Sequence, residues 1–97
     1  MNRVSALASR ARGRTWRDVL ASVLDCLTKG NATQNKVMTS VNQNVDATRN
    51  YLRDLISWGF VNVAGESRGR KIYSITEKGK EWLRMYKSLL ALEGSRD

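Results

Sequence analysis

A mainly α domain with one small β-hairpin, in the order α-α-α-β-β-α and closed by an extended C-terminal helix, is the fold class this sequence predicts. Three observations predict it. Apolar residues recur at three and four residues in four separate stretches, the period of helices packed on a shared core. Two short runs near the middle of the chain alternate or cluster β-branched and aromatic residues around a glycine-rich turn. The length, 97 residues and 11.0 kDa at 41% hydrophobic, is enough for a single core and too short for two.

The first helix begins at Thr15. The string Thr15, Trp16, Arg17, Asp18 has the spacing of a capping box, in which a hydroxyl and a carboxylate satisfy free backbone donors. Val19, Leu20, Val23, Leu24 and Leu27 then form one stripe, and Gly30 marks the end of a helix spanning about Trp16 to Lys29. Cys26 falls within this pattern and reads as a packing residue. A second, shorter helix starts near Thr33 and carries Val37, Met38 and Val41 on one side. The polar string Asn42, Gln43, Asn44 reads as a turn, with Asn44 able to cap a third helix that runs to about Trp58 before Gly59. Two helices joined by so tight a turn form a helix-turn-helix unit.

On the third helix, Val45, Thr48, Tyr51, Leu52, Leu55 and Ile56 gather on one side, and Asp46, Arg49, Asn50, Arg53 and Ser57 stand opposite. Arginine can donate two hydrogen bonds to guanine, and asparagine can both donate to and accept from adenine, so this polar side is a candidate for base contact. A solvated helix face has the same composition. After Gly59, Phe60 to Val63 predict a short strand, and Lys71 to Ile75 a second. The tip between them, Ala64 to Lys71, holds three cations in four residues, Arg68, Arg70 and Lys71. Cations at such a tip can neutralise phosphates beside a groove; charge on a hairpin also protects an exposed strand edge.

Charge narrows the class of partner. Seventeen Lys and Arg against nine Asp and Glu give +8 and a sequence pI near 10.3, which favours a polyanion. Residues 1 to 17 hold Arg3, Arg10, Arg12, Arg14 and Arg17 with no acid. This stretch superficially resembles an organellar transit peptide but has no sustained apolar face, so residues 1–14 are read as a flexible basic arm. Through Arg10, Arg12 and Arg14 it could follow phosphates or enter a minor groove; a solubilising tail would have the same composition.

Much chemistry is excluded. With no histidine and one cysteine, the chain offers neither the usual zinc sets nor a nucleophile–histidine couple, and no cofactor or metal is implied. Arg68, Gly69, Arg70 does not match a phosphate-binding loop, and Asp18 and Asp25 have no second acid cluster beside them. An enzyme is the least favoured class. A lone cysteine suits a reducing compartment, and no apolar run approaches the roughly 18 residues that span a bilayer. The expected setting is the cytoplasm, in association with the nucleoid.

Helix, helix, helix, strand, strand, helix with a basic hairpin tip is the winged-helix order. The run Val41 to Val61, with Thr48, Tyr51, Leu52, Leu55 and Ile56, followed by Tyr73, Ser74, Ile75, Thr76, Glu77, Lys78, Gly79 and Lys80, resembles the small archaeal winged-helix DNA-binding proteins. The phrase Ile-Thr-Glu-Lys-Gly at the start of the last helix is similar to one that recurs in winged-helix regulators generally. The resemblance covers roughly Trp16 to Leu92. It implies binding of double-stranded DNA, with the third helix in the major groove and the hairpin wing on the neighbouring backbone. Recognition then falls on Asp46, Arg49, Asn50 and Arg53, and wing contacts on Arg68, Arg70 and Lys71. Asp46 departs from a simple attractive footprint: it could accept from cytosine, or orient Arg49 or Arg53.

The last helix, capped by Thr76, is predicted to run to about Glu93. Leu83, Tyr86 and Leu90 can pack onto a domain spanning residues 15–76, while Trp82, Met85, Leu89 and Leu92 recur at the spacing of a coiled-coil seam. Related archaeal proteins dimerise through a C-terminal helix in this position, which makes residues 77–97 a candidate dimerisation element and a compact homodimer the expected assembly. A monomer with this helix folded back is the alternative. The function this reading favours is a DNA-binding transcription regulator. A nucleoid-type architectural binder, or a winged-helix module for RNA or protein, is the alternative.

Overall fold

In the computed structural model, residues 15–94 are described. Their order is α1 (Trp16–Thr28), β1 (Ala32–Thr33), α2 (Gln34–Val41), α3 (Val45–Ser57), β2 (Val61–Ser67), β3 (Arg70–Ile75) and α4 (Glu77–Gly94). Four helices thus surround a small antiparallel sheet, the winged-helix arrangement. The expected capping box is present at α1: the Thr15 hydroxyl accepts from the Asp18 amide at 3.2 Å, and the Asp18 carboxylate accepts from the Thr15 amide at 3.3 Å. One turn in, Val19, Leu20, Val23, Leu24 and Leu27 are buried, as their spacing requires.

The turn between α2 and α3 is built by its asparagines. Asn42 ends α2 in the left-handed conformation (φ 58°), which asparagine tolerates better than most residues, and the Gln43 amide donates to the Met38 carbonyl at 3.2 Å. Asn44 then caps α3, its Oδ1 accepting from the Ala47 amide at 2.7 Å. So short a connection leaves little freedom in the relative angle of the helices. On α3 the buried stripe is Thr48, Leu52 and Leu55, narrower than the sequence suggests. Val45 and Ile56 flank it and remain 44% and 38% exposed.

The sheet has one strand more than the sequence reading allowed, in the order β1-β3-β2. Ala32 and Thr33 pair with Tyr73 and Ile72. This holds the start of α2 against the base of the wing. The wing itself is longer and more regular than a loose tip. Pairing continues from Val61↔Ile75 out to Ser67↔Arg70, interrupted by a bulge at Ala64 between Val63 and Gly65. Only Arg68 and Gly69 form the turn, both at positive φ (55° and 78°). That is the twist-matched geometry of a two-residue hairpin loop, so Arg70, expected in a flexible tip, lies instead in a strand, together with Lys71, where the second strand was expected to begin.

Leu24, Leu52, Leu55, Val23, Val37, Val41 and Val61 are the largest fully buried apolar side chains and come from α1, α2, α3 and β2; Leu83 adds α4 to the same core. Each such side chain stabilises the fold by about 1.5–3 kcal/mol through burial. A polar clasp fixes the wing to α3. Thr76 donates its amide to the Phe60 carbonyl at 2.9 Å and its hydroxyl to the Gly59 carbonyl at 2.6 Å, and accepts from the Gly79 amide at 3.0 Å. Gly79 explains the end of the Ile-Thr-Glu-Lys-Gly phrase: a Cβ there would overlap the Phe60 carbonyl oxygen and come within 2.9 Å of Ile75 Cγ1. Further along α4, Tyr86 donates to the Asp18 carboxylate, and Lys87 Nζ reaches Asp25 Oδ1 at 2.9 Å. The Lys87 hydrogen bond, aided by Lys29 and opposed by partial burial, holds the Asp25 carboxyl below its ordinary value.

Candidate nucleic-acid interface

The polar side of α3 presents Asp46, Arg49, Asn50 and Arg53 to solvent. Helical spacing of three residues pairs them among themselves. Arg49 Nη1 lies 3.2 Å from Asp46 Oδ1, and Arg53 Nη2 donates to Asn50 Oδ1 at 2.6 Å. Asp46 and Arg49 are thus paired within the helix. Both pairs are exposed, and pairs of this kind contribute only about 0.2–0.5 kcal/mol. An incoming hydrogen-bonding surface can displace them at small cost.

On the wing, Arg68, Arg70 and Lys71 form no ion pair among the described residues. Glu66 stands directly across the ladder from Lys71 without bonding to it. Three cations thus project from a two-stranded ribbon without an ion-pair partner among the described residues, and Glu66 is the one acid on that ribbon.

These two surfaces meet. A cleft of about 450 Å³ is lined by Thr33, Gln34, Asn35, Arg49, Arg70, Lys71 and Tyr73. It joins Arg49 of α3 to Arg70 and Lys71 of β3 across the first turn of α2. A neighbouring hollow of about 420 Å³ is lined by Thr33, Ser67, Arg68 and Arg70. Asp46, Asn50 and Arg53 stand along α3 outside both hollows. Arg10, Arg12 and Arg14 lie outside the described residues. Gln34 and Asn35 were missed by sequence reasoning. Their only sequence signal is position, directly after the capping Thr33, whose hydroxyl accepts from the Lys36 amide at 3.4 Å. Their placement at the cleft depends on β1 pairing with β3, which joins distant parts of the chain.

The seam expected on the last helix divides in two. Met85, Leu89 and Leu92 are exposed, at 59%, 55% and 64%. Trp82 is not part of that exposed face. It is half-buried in an aromatic row, stacked on Tyr86 (centroids 5.4 Å apart, planes at 11°) and tilted against Phe60 (6.0 Å), which in turn meets Trp58 edge-on at 6.1 Å. The physical reason is its position on the wheel: Trp82 shares the three- and four-residue spacing of the seam but adjoins Leu83 and lies one turn before Tyr86, both of which pack inward.

No helix among the described residues is long and apolar enough to cross a membrane, and no group of His, Cys, Asp and Glu there could hold a metal ion. The sequence model of the winged helix-turn-helix family matches residues 13–94. The chain belongs to that family. No protein of curated function matches the sequence. Solved structures of other winged helix-turn-helix proteins share its fold. A PadR family transcription regulator from Clostridium difficile superposes with a TM-score of 0.73 at 17% identity, over 79% of this chain and 91% of its own. Sso10a-2, a DNA-binding protein from Sulfolobus solfataricus, gives 0.63 at 24% identity, over 84% of this chain and 92% of its own. A homodimeric winged helix-turn-helix DNA-binding domain from Mycobacterium bovis gives 0.66 at 19% identity, over 91% of this chain and 78% of its own. Identities this low carry the architecture and leave the target of this chain to its own residues.

Proposed function

We propose that this winged helix-turn-helix protein binds double-stranded DNA as a transcription regulator, with α3 in the major groove and the β2–β3 wing on the adjacent phosphates. The observation that carries the reading is the cleft where Arg49 of α3, Gln34 and Asn35 of α2, and Arg70 and Lys71 of β3 converge. A helix that reads base edges needs phosphate contacts on either side to fix its register. The first turn of α2 and the wing adjoin Arg49 in this cleft, and we assign those contacts to them. Arg49, Asn50 and Arg53 read bases, Asp46 orients Arg49, and Arg68, Arg70 and Lys71 hold the backbone. Arg10, Arg12 and Arg14 extend the electrostatic footprint along the duplex. That two of the structural neighbours are DNA-binding proteins supports the assignment.

Titration of a defined DNA duplex and of the RNA duplex of the same sequence, read by anisotropy at low salt, tests it. DNA is expected to bind more tightly and with a steep salt dependence, because the A-form major groove is too narrow to admit α3. RNA bound as well as or better than DNA would overturn the reading in favour of an RNA module. The balanced charge of α3 favours one variant of the proposal, an architectural binder with little sequence preference, which selection from a random duplex pool separates from a regulator.

The exposed Met85 and Leu89, continued by Leu92, further support a homodimer through α4, which would present two copies of α3 to neighbouring half-sites. Changing Met85 and Leu89 to Lys is expected to halve the mass seen in sedimentation; an unaltered mass would remove this face from the assembly.

A further inference from the structure

We propose that the chain carries a separate binding site for a small planar aromatic anion, in a cavity lined by all three of its tryptophans. Trp16 at the start of α1, Trp58 at the end of α3 and Trp82 on α4 converge with Phe60, the one phenylalanine of the chain, around about 260 Å³. Buried Leu20 and Leu55 complete an apolar lining. Core packing accounts for Trp82 but not for the other two indoles. Trp16 and Trp58 stay 53% and 42% exposed, so neither gains the full benefit of burying an indole, and both line a concave surface.

The charge at the rim selects the ligand. Aromatic cages that hold quaternary ammonium groups do so with ring faces open to the cation. Here the Arg17 guanidinium, which lines the cavity, already lies over the Trp16 ring, 5.1 Å from its centroid; outside the lining, the Lys78 ammonium lies over Phe60 at 5.5 Å. No carboxylate lines the cavity. A cationic ligand is therefore repelled, and an anionic one gains a guanidinium at the mouth. The volume lies just below the range of about 300–1,000 Å³ that takes drug-sized ligands, which fits one or two fused rings with a carboxylate directed at Arg17.

The cavity also adjoins the junction that sets the wing against α3. Trp58 is the C-terminal cap of α3, and Phe60 supplies the carbonyl that Thr76 holds and Gly79 abuts. Occupancy would then alter DNA affinity through that junction. This coupling rests on the DNA-binding reading; the ligand site does not.

Calorimetric titration of the whole chain, without DNA, with 2-naphthoate, neutral 2-naphthol and cationic phenyltrimethylammonium tests the site. 2-Naphthoate is expected to saturate at one per chain below about 1 mM, the affinity a ligand of that size reaches at ordinary efficiency. Arg17→Gln should weaken it about tenfold, the loss of one charge-assisted hydrogen bond. Trp16→Ala, at an exposed position, should weaken it at least as much, with the thermal transition retained. No saturation, tighter binding of the cation, or indifference to both substitutions would overturn the site. A second titration, of duplex DNA with and without saturating 2-naphthoate, tests the coupling. A shift of about fivefold or more, in the range typical of linked sites, is expected; an unchanged affinity would overturn the coupling and leave the site standing.

Discussion

On α3, the two arginines direct hydrogen bonds within their own helix, Arg49 to Asp46 and Arg53 to Asn50, and with Asp54 the helix carries as many acids as bases. On the wing, Arg68, Arg70 and Lys71 face a single acid, Glu66, and form no ion pair among the described residues. Two neighbouring surfaces of one small domain thus hold similar residues in different electrostatic states. The difference implies a division of labour. On the DNA-binding reading proposed above, net attraction to a polyanion would come from the wing, and the paired groups of α3, cheap to rearrange, would discriminate between base pairs.

The largest expected effect comes from the wing. Replacing Arg68, Arg70 and Lys71 by Ala should flatten the dependence of log K on log salt by roughly 2.7, about 0.9 for each phosphate that is no longer neutralised, and do so on every duplex sequence. An unchanged slope would break the comparison at once. Next is the joint between the two surfaces. Gly79→Ala forces a Cβ onto the Phe60 carbonyl, and should destabilise the domain by about 1–3 kcal/mol or more, visible as a lowered Tm, with DNA binding lost in parallel. A variant of unchanged Tm would show that the wing tolerates a shift relative to α3.

Substitutions on α3 should act differently from those on the wing. Arg49→Ala or Asn50→Ala is expected to cost about 1–3 kcal/mol on a preferred site and little on random duplex. Equal losses on both would make these residues backbone contacts and erase the distinction from the wing. The smallest effect lies away from either surface, at the tie between α1 and α4. Because the folded-state pKa of Asp25 is depressed by Lys87 and Lys29, its contribution to stability is present above the ordinary carboxylate pKa of about 3.9 and is lost as pH falls through the lower folded value. The group is exposed enough that Asp25→Asn should cost no more than about 1 kcal/mol at neutral pH. In parallel urea titrations, that deficit should disappear in acid; a deficit that persisted there would assign it to packing.

The helical frame was legible in the sequence because its signals are local. Thr15 with Asp18, Asn44 before α3, and Thr76 before α4 each cap within three residues, and the buried stripe of α1 follows from spacing alone. What was not legible depends on distant partners. Ala32 and Thr33 are too few to show a period, and become a strand only because Tyr73 and Ile72 lie alongside. Gly65 and Glu66 have weak strand propensity, and the ladder with its two-residue turn orders them regardless. Val45, Ile56 and Trp82 sit at the borders of helical stripes, where periodicity leaves the side undecided and neighbours settle it. The same limit applies to the candidate site. Residue type marked Arg49, Arg70 and Lys71, but Gln34 and Asn35 join them only through the β1–β3 pairing.

Amide chemical-shift mapping of the full chain during titration with a DNA duplex tests the division between helix and wing most directly. If α3 and the wing dock together on the duplex, the largest changes fall on Gln34 and Asn35, on Arg49 to Arg53, and on Arg68 to Lys71, with Met85 and Leu89 unmoved. Changes concentrated on the face of α4 carrying Met85 and Leu89, with α3 and the wing silent, would contradict it.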